Sequence, residues 1–354
     1  MVKTRKWGNM KKKILILLAV MLVVLAYIVI TSFVLSADIG YLVGDPFYGV
    51  SIPTDETLIK AFADTEINWE IAYWSAMISE FTYGKYAYPS ENRALTALGF
   101  TTTRVYSFFE HEGELKDNLM ADAGIREIVA PDGSSYTLVA IAFRGSVPLV
   151  LDSVTTHENM RRNLDIRSQA WREDMPRVTV HRGFKDQYND VIRYILSEIN
   201  EEFGLSILRN AGHRDSSLKF WITGHSLGGA LAELLTLDLI ENGVEPERVM
   251  AYGFATPLVG SRRLHEFAQS RGASDRIFNI FHRQDMVAHM GYGLIFGRSL
   301  AADENIMVFG NRGIWNRSHH GLPRIYLPFV ISQNDYPLRQ QFETSLIVAD
   351  IVGD

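Results

Sequence analysis

Ser226 stands in Gly224-His225-Ser226-Leu227-Gly228, between the apolar run Leu218–Thr223 and an apolar stretch, Leu227–Asn242, that reads as a helix. A hydroxyl at a sharp strand-to-helix turn projects above the sheet edge, and the flanking glycines let helix and strand close without Cβ clashes. Serine is a poor nucleophile until a base takes its proton, so the placement has chemical meaning only if the chain also supplies a histidine and an acid. Such a set performs acyl transfer. A G-x-S-x-G pattern also arises by chance, but its position between strand and helix, followed by Gly229-Ala230, argues against chance here.

With this kind of turn the acid and then the histidine follow the serine in the chain. Of ten histidines, His289, His319 and His320 lie well past Ser226 with room for a strand-end acid before them. Asp285 closes the β-type run that begins at Arg276, which brings it to the same sheet edge as the serine. Asp238 falls on the helix leaving Ser226, and Asp275 precedes the strand. His289 is too near Asp285 in the chain to fold back on it, leaving His319 and His320 as alternative bases. The oxyanion of the transition state needs backbone N–H donors. Leu227 supplies one, and Ser146, closing the apolar strand that ends in Phe143-Arg144-Gly145, is placed for the second. Alone, that segment reads equally well as a strand ending in a glycine turn.

The elements that must position these groups follow from periodicity. Leu58–Tyr83 has helical apolar spacing, as does Gly183–Phe203, with Phe184, Tyr188, Val191, Ile192, Ile195 and Ile199 on one side. Val129–Phe143 reads as strand, Pro-Asp-Gly turn and strand. Val249–Phe254 and Arg276–Phe281 are short β-type runs, separated by a helix at Arg262–Ser270. Strands alternating with helices imply an α/β fold with a largely parallel, doubly wound sheet covered on both faces.

Composition sets the outer limits. At 354 residues and 47% hydrophobic content the chain can bury a full core. The absence of cysteine excludes a disulfide, a thiol nucleophile and a zinc–thiolate site. Lys3, Arg5, Lys6, Lys11, Lys12 and Lys13 crowd the first thirteen residues with no acid among them, so the rest is more acidic than the formal charge of −6 and unsuited to nucleic acid. Ile14–Leu35 carries no charge over 22 residues, long enough to cross a bilayer as a helix. The basic head places the N-terminus in the cytoplasm and the body on the other side. A cleaved signal peptide is the competing reading, with a weak small-residue site at Val34-Leu35-Ser36, and the protein would then be secreted. The expected organisation is a basic head (1–13), a span (14–35), a linker broken by Gly and Pro (36–55) and one catalytic domain (56–354).

These residues, taken with "NLD" at 163–165, "VHRGF" at 180–184, "GHSLGGA" at 224–230, "YGFATPLVG" at 252–260 and "RIFNIFHRQDMV" at 276–287, resemble the class 3, or fungal-lipase-like, lipases over roughly residues 60–330. The resemblance implies an α/β-hydrolase fold and hydrolysis of carboxylic esters of lipids. It implies Ser226 and Asp285 in a triad and Ser146 in the oxyanion hole. It favours His320 over His319, because His320-Gly321-Leu322 with Tyr326 beyond suits the family spacing better. Leu164 departs from the aromatic usual after the "NLD" asparagine.

His225, His181 and Asp165 read as structural hydrogen-bonding groups. Adjacent His319 and His320 do not have metal-ligand spacing, and dinucleotide and P-loop motifs are absent, so neither a metal nor a cofactor is expected. The function these observations predict is a serine ester hydrolase for lipid substrates, acting through Ser226, Asp285 and His320. The alternative is a catalytically idle lipase-fold module that binds at the membrane. Val147–Leu151 has the apolar pattern of a lid but could equally be packed core, and Leu294–Phe296 and the run at 325–331 are candidates for the wall of an acyl groove.

Overall fold

The computed structural model describes residue 47 and residues 50–83, 92–146, 162–163, 165–203, 217–291, 297–311 and 317–334. Helices α1 (Asp55–Ala63), α2 (Trp69–Phe81) and α3 (Arg93–Ala97) come first, followed by β1 (Thr101–His111), β2 (Glu114–Val129) and β3 (Ser135–Phe143). A short ribbon of β4 (Ser168–Ala170) and β5 (Thr179–His181) leads into α4 (Arg182–Phe203). Then β6 (Leu218–His225), α5 (Leu227–Glu241), β7 (Val249–Phe254), α6 (Arg262–Ser270), β8 (Ile277–His282), β9 (Ile306–Phe309) and α7 (Leu327–Ser332) complete the described elements. The main sheet has the order β1-β2-β3-β6-β7-β8-β9. It is antiparallel from β1 to β3 and parallel from β3 to β9.

Strand side chains alternate between two cores, as the period of two in a pleated strand requires. Val139, Ile141, Phe220, Ile222 and Ala251 face one core, while Leu138, Ala140, Trp221, Met250 and Tyr252 face the other. All of β6 and β7 is buried, so these strands read as mostly apolar runs. The sheet is not doubly wound, contrary to the reading from alternation. Its parallel strands advance in one direction, and crossovers of one hand put each connecting helix on the same face. Accordingly α4, α5 and α6 line the first core. The second face is covered by the chain's flanks, α1, α2, α3 and α7.

Four further departures from the sequence reading follow. The helical spacing over Leu58–Tyr83 runs through a break: α1 stops at Asp64, and Asn68 restarts the chain by accepting the Ile71 N–H as an N-cap. The hairpin of β1 and the first half of β2 was not expected, because its charged and polar residues lack a clean alternating pattern. The run at 325–331 is core rather than groove wall: Leu327, Val330 and Ile331 are buried, and Phe329 stacks on Phe309 at 3.9 Å. The body also begins inside the segment expected as a linker, since Phe47 stacks on Trp74 at 5.6 Å and the Trp74 indole N–H donates to the Ser51 carbonyl.

Among the described residues no helix is long and apolar enough to cross a membrane. The span expected at 14–35, the lid at 147–151, Leu164 and the run at 294–296 lie outside the described residues.

Candidate active site

At the end of β6 the backbone turns so sharply that Ser226 adopts φ 58° and ψ −128°, a conformation that costs an L-residue energy. The surroundings over-determine it. The Ser226 N–H donates to the Phe254 carbonyl at 2.8 Å, and its own carbonyl accepts the Gly229 N–H at 2.9 Å. A Cβ on Gly224 would sit 2.2 Å from the carbonyl carbon of Gly228, so the close approach of strand and helix requires glycine there. Helix α5 then starts at Leu227, whose N–H belongs to the first helical turn, where donors have no intrahelical partner.

His320 ends a short 3-10 turn, Arg317–His320, and its Nε2 lies 2.8 Å from the Ser226 Oγ. Its Nδ1 lies 2.9 Å from Oδ2 of Asp285, which is fully buried just past β8. An ionised carboxylate can only accept, so Nδ1 carries the proton and Nε2 is free to accept from the serine. Burial pushes the Asp285 carboxyl up. The charge and hydrogen bond of His320, the Tyr326 hydroxyl and the Val287 N–H outweigh burial and hold it below its ordinary 3.8. The Val287 N–H reaches Oδ1 at 2.8 Å, and Tyr326 donates to Oδ2. Because the folded value is depressed, this carboxylate stabilises the fold above pH 3.8 and loses that effect as pH falls through the folded value.

Tyr326 is fully buried, and its oxygen also accepts the His282 N–H at 3.1 Å. Tyr326→Phe removes one of the bonds that lower Asp285 and leaves a buried N–H without its acceptor, at a cost of about 1 to 3 kcal/mol. We expect kcat for ester hydrolysis to fall about tenfold and the acid-unfolding midpoint to move to higher pH. An acid titration followed by circular dichroism, beside steady-state kinetics, checks both.

His319 does not reach Ser226. Its ring stacks on His282 at 4.5 Å, with the planes 5° apart, and its buried Nδ1 has no hydrogen-bond partner among the described residues. Asp238 accepts from the Tyr188 hydroxyl near the far end of α5, and His289 is bonded to the Arg283 carbonyl in its own loop at 2.9 Å. His181 stacks on Phe184 and accepts its N–H, and burial pushes the imidazole down to about 4, fitting a structural role. The side chain of Asp165 forms two 2.6 Å bonds to Arg167.

Ser146 follows β3 on a loop that passes against the elbow: a Cβ on Gly145 would lie 3.3 Å from the Ser226 Cβ. The Ser146 hydroxyl accepts from Asn163 Nδ2 at 2.7 Å, and Asn163 Oδ1 accepts from Gln187 on α4 at 3.3 Å. The loop is thereby tied to the "NLD" segment, a link that nothing in the spacing of these residues reveals.

The Lipase (class 3) family model matches residues 140–293, a stretch that includes Ser146, Ser226 and Asp285 but stops short of His320. A lipase of Rhizomucor miehei is 31% identical over 113 residues, which is 31% of this chain and 28% of that protein. Phospholipase A1-Igamma1 of Arabidopsis thaliana is 28% identical over 167 residues, 42% of this chain and 31% of that protein. The chain thus spans less than a third of the length of these curated relatives. Among solved structures, the Rhizomucor miehei lipase propeptide complex has a TM-score of 0.42 at 21% identity, covering 62% of each chain. From within β3 to residue 293, the chain is similar to the class 3 lipases.

Proposed function

We propose that the chain is a serine carboxylic-ester hydrolase acting on lipid esters, of the acylglycerol lipase or phospholipase A1 type. The observation that carries this reading is the unbroken hydrogen-bond series from the Ser226 hydroxyl through His320 to Asp285, at 2.8 and 2.9 Å. Ser226 attacks the ester carbonyl while His320 Nε2 takes its proton. Asp285 holds the ring and stabilises the imidazolium, and His320 then returns the proton to the departing alkoxide. The Leu227 and Ser146 N–H groups hold the oxyanion. Water repeats the cycle on the acyl-serine, releasing a fatty acid. The relatives' names, lipase, phospholipase A1 and galactolipase, support a lipid ester as substrate. No step requires a metal or cofactor.

The uncharged run at 14–35 supports a single membrane anchor with the basic head in the cytoplasm and the catalytic body on the other side. An anchor raises the local concentration of bilayer substrate without adding a contact. A panel of acylglycerols and phospholipids, read out as released fatty acid and lysolipid, tests the activity and names the substrate. In the same panel a truncation starting at Ala37 retains Phe47 and the packed segment after it. It is expected to match the full chain on short dispersed esters and to fall about ten- to a hundredfold behind on vesicles. Equal rates on vesicles would show that the anchor has no part in substrate delivery.

A further inference from the structure

The histidine beside the nucleophile is bonded at both ends. Nε2 of His225 lies 2.7 Å from the backbone carbonyl of His320, which can only accept, so Nε2 carries the hydrogen. Burial, and next the neighbouring His320, push the ring down to about 3, so it is neutral and its Nδ1 is an acceptor. The Tyr83 hydroxyl, 3.0 Å away, is therefore the donor. The tautomer of His225 is fixed, and its ring cannot compete as a base although it lies 4.7 Å from that of His320.

Tyr83 follows α2, and its position is set from below. Ser79 on that helix is bonded to Thr223 of β6 at 2.9 Å, and Thr82 caps the last turn by donating to the Ser79 carbonyl. The Tyr83 hydroxyl also packs against the backbone of Gly145, in the loop that leads to Ser146. A Cβ on Gly145 would lie 2.2 Å from that oxygen, so the glycine leaves room for the phenol.

We propose that Tyr83 and His225 are positioning residues that join the oxyanion loop, the elbow strand and the segment carrying the base, holding the His320 backbone so that its ring meets Ser226 and Asp285 together. The series runs from the Tyr83 hydroxyl to His225 Nδ1 and from His225 Nε2 to the His320 carbonyl, with the Gly145 backbone packed against the Tyr83 oxygen. Neither side chain hydrogen-bonds to the Ser226 hydroxyl or the His320 ring, so the effect falls on the alignment of the imidazole, where displacements of about 1 Å can change rates by about a hundredfold.

This inference rests on the hydrolase reading. The test uses the full chain and p-nitrophenyl butyrate, with Tyr83→Phe, His225→Gln, His225→Leu and the double variant Tyr83→Phe/His225→Leu. Gln can still donate to the His320 carbonyl, and Leu cannot. Expected results are a kcat lower by about thirtyfold for His225→Leu and about tenfold for Tyr83→Phe, with KM within about twofold of wild type. His225→Gln should recover to within about threefold, and the double variant should be little worse than His225→Leu, since both interrupt one series. Equal losses for Gln and Leu, or multiplicative losses in the double variant, would overturn the proposal. Tyr83→Phe removes a single oxygen, so wild-type kcat in that variant would overturn it without any question of folding. An inactive wild type would instead defeat the hydrolase reading, and this inference with it.

Discussion

Ser226→Ala is expected to fold as the wild type does and to lose ester hydrolysis by about three to six orders of magnitude, the range seen when the nucleophile of a triad is removed. The two halves of this expectation have separate grounds. The Ser226 side chain makes no capping bond to α5, so its hydroxyl contributes nothing to the helix start. Alanine adds no volume at the turn, and the backbone bonds to Phe254 and Gly229 are unchanged. Thermal melts should therefore agree within a few degrees. The hydroxyl oxygen, by contrast, is the one atom placed 2.8 Å from His320 Nε2. Residual catalysis would come from the oxyanion donors and from binding alone.

The second large effect separates two adjacent histidines. His320→Ala should cost about four or more orders of magnitude in kcat, because it removes the base and leaves a fully buried carboxylate without its imidazole partner. It should also destabilise toward acid. The charge and hydrogen bond of His320 help hold Asp285 below its ordinary 3.8, so without them protonation, and the stability lost with it, begins at higher pH. His319→Ala removes a stack on His282 and should stay within about fivefold of wild-type activity. Parallel kcat measurements at neutral pH, with acid unfolding curves, check the pair, and a reversal of the two would move the base by one residue.

What the sequence makes legible follows from how local each signal is. From β6 to β8 the elements lie within two residues of their expected limits, because buried parallel strands are short, mostly apolar runs, and the helices between them carry clear stops such as Asn242-Gly243. Ser226 and Asp285 are legible for the same reason, since each follows closely on the end of such a strand. The break between α1 and α2 is hidden because apolar spacing continues across it, although Asn68 marks a cap. Winding on one face is not written in any single segment, as it depends on strand order. The links that tie the site together are longer still. Tyr83 is 142 positions from His225 and Tyr326 is 41 from Asp285, separations over which spacing carries no information.

The central claim is that Ser226 is an activated nucleophile, and covalent capture addresses it directly. The full chain is incubated with a fluorophosphonate at neutral pH, and the adduct is located by peptide mass mapping in wild type and in His320→Ala. One adduct per chain on Ser226, absent or slowed by orders of magnitude in His320→Ala, is the predicted result. A folded wild-type chain that stays unlabelled, or that carries the adduct on another residue, would contradict the account.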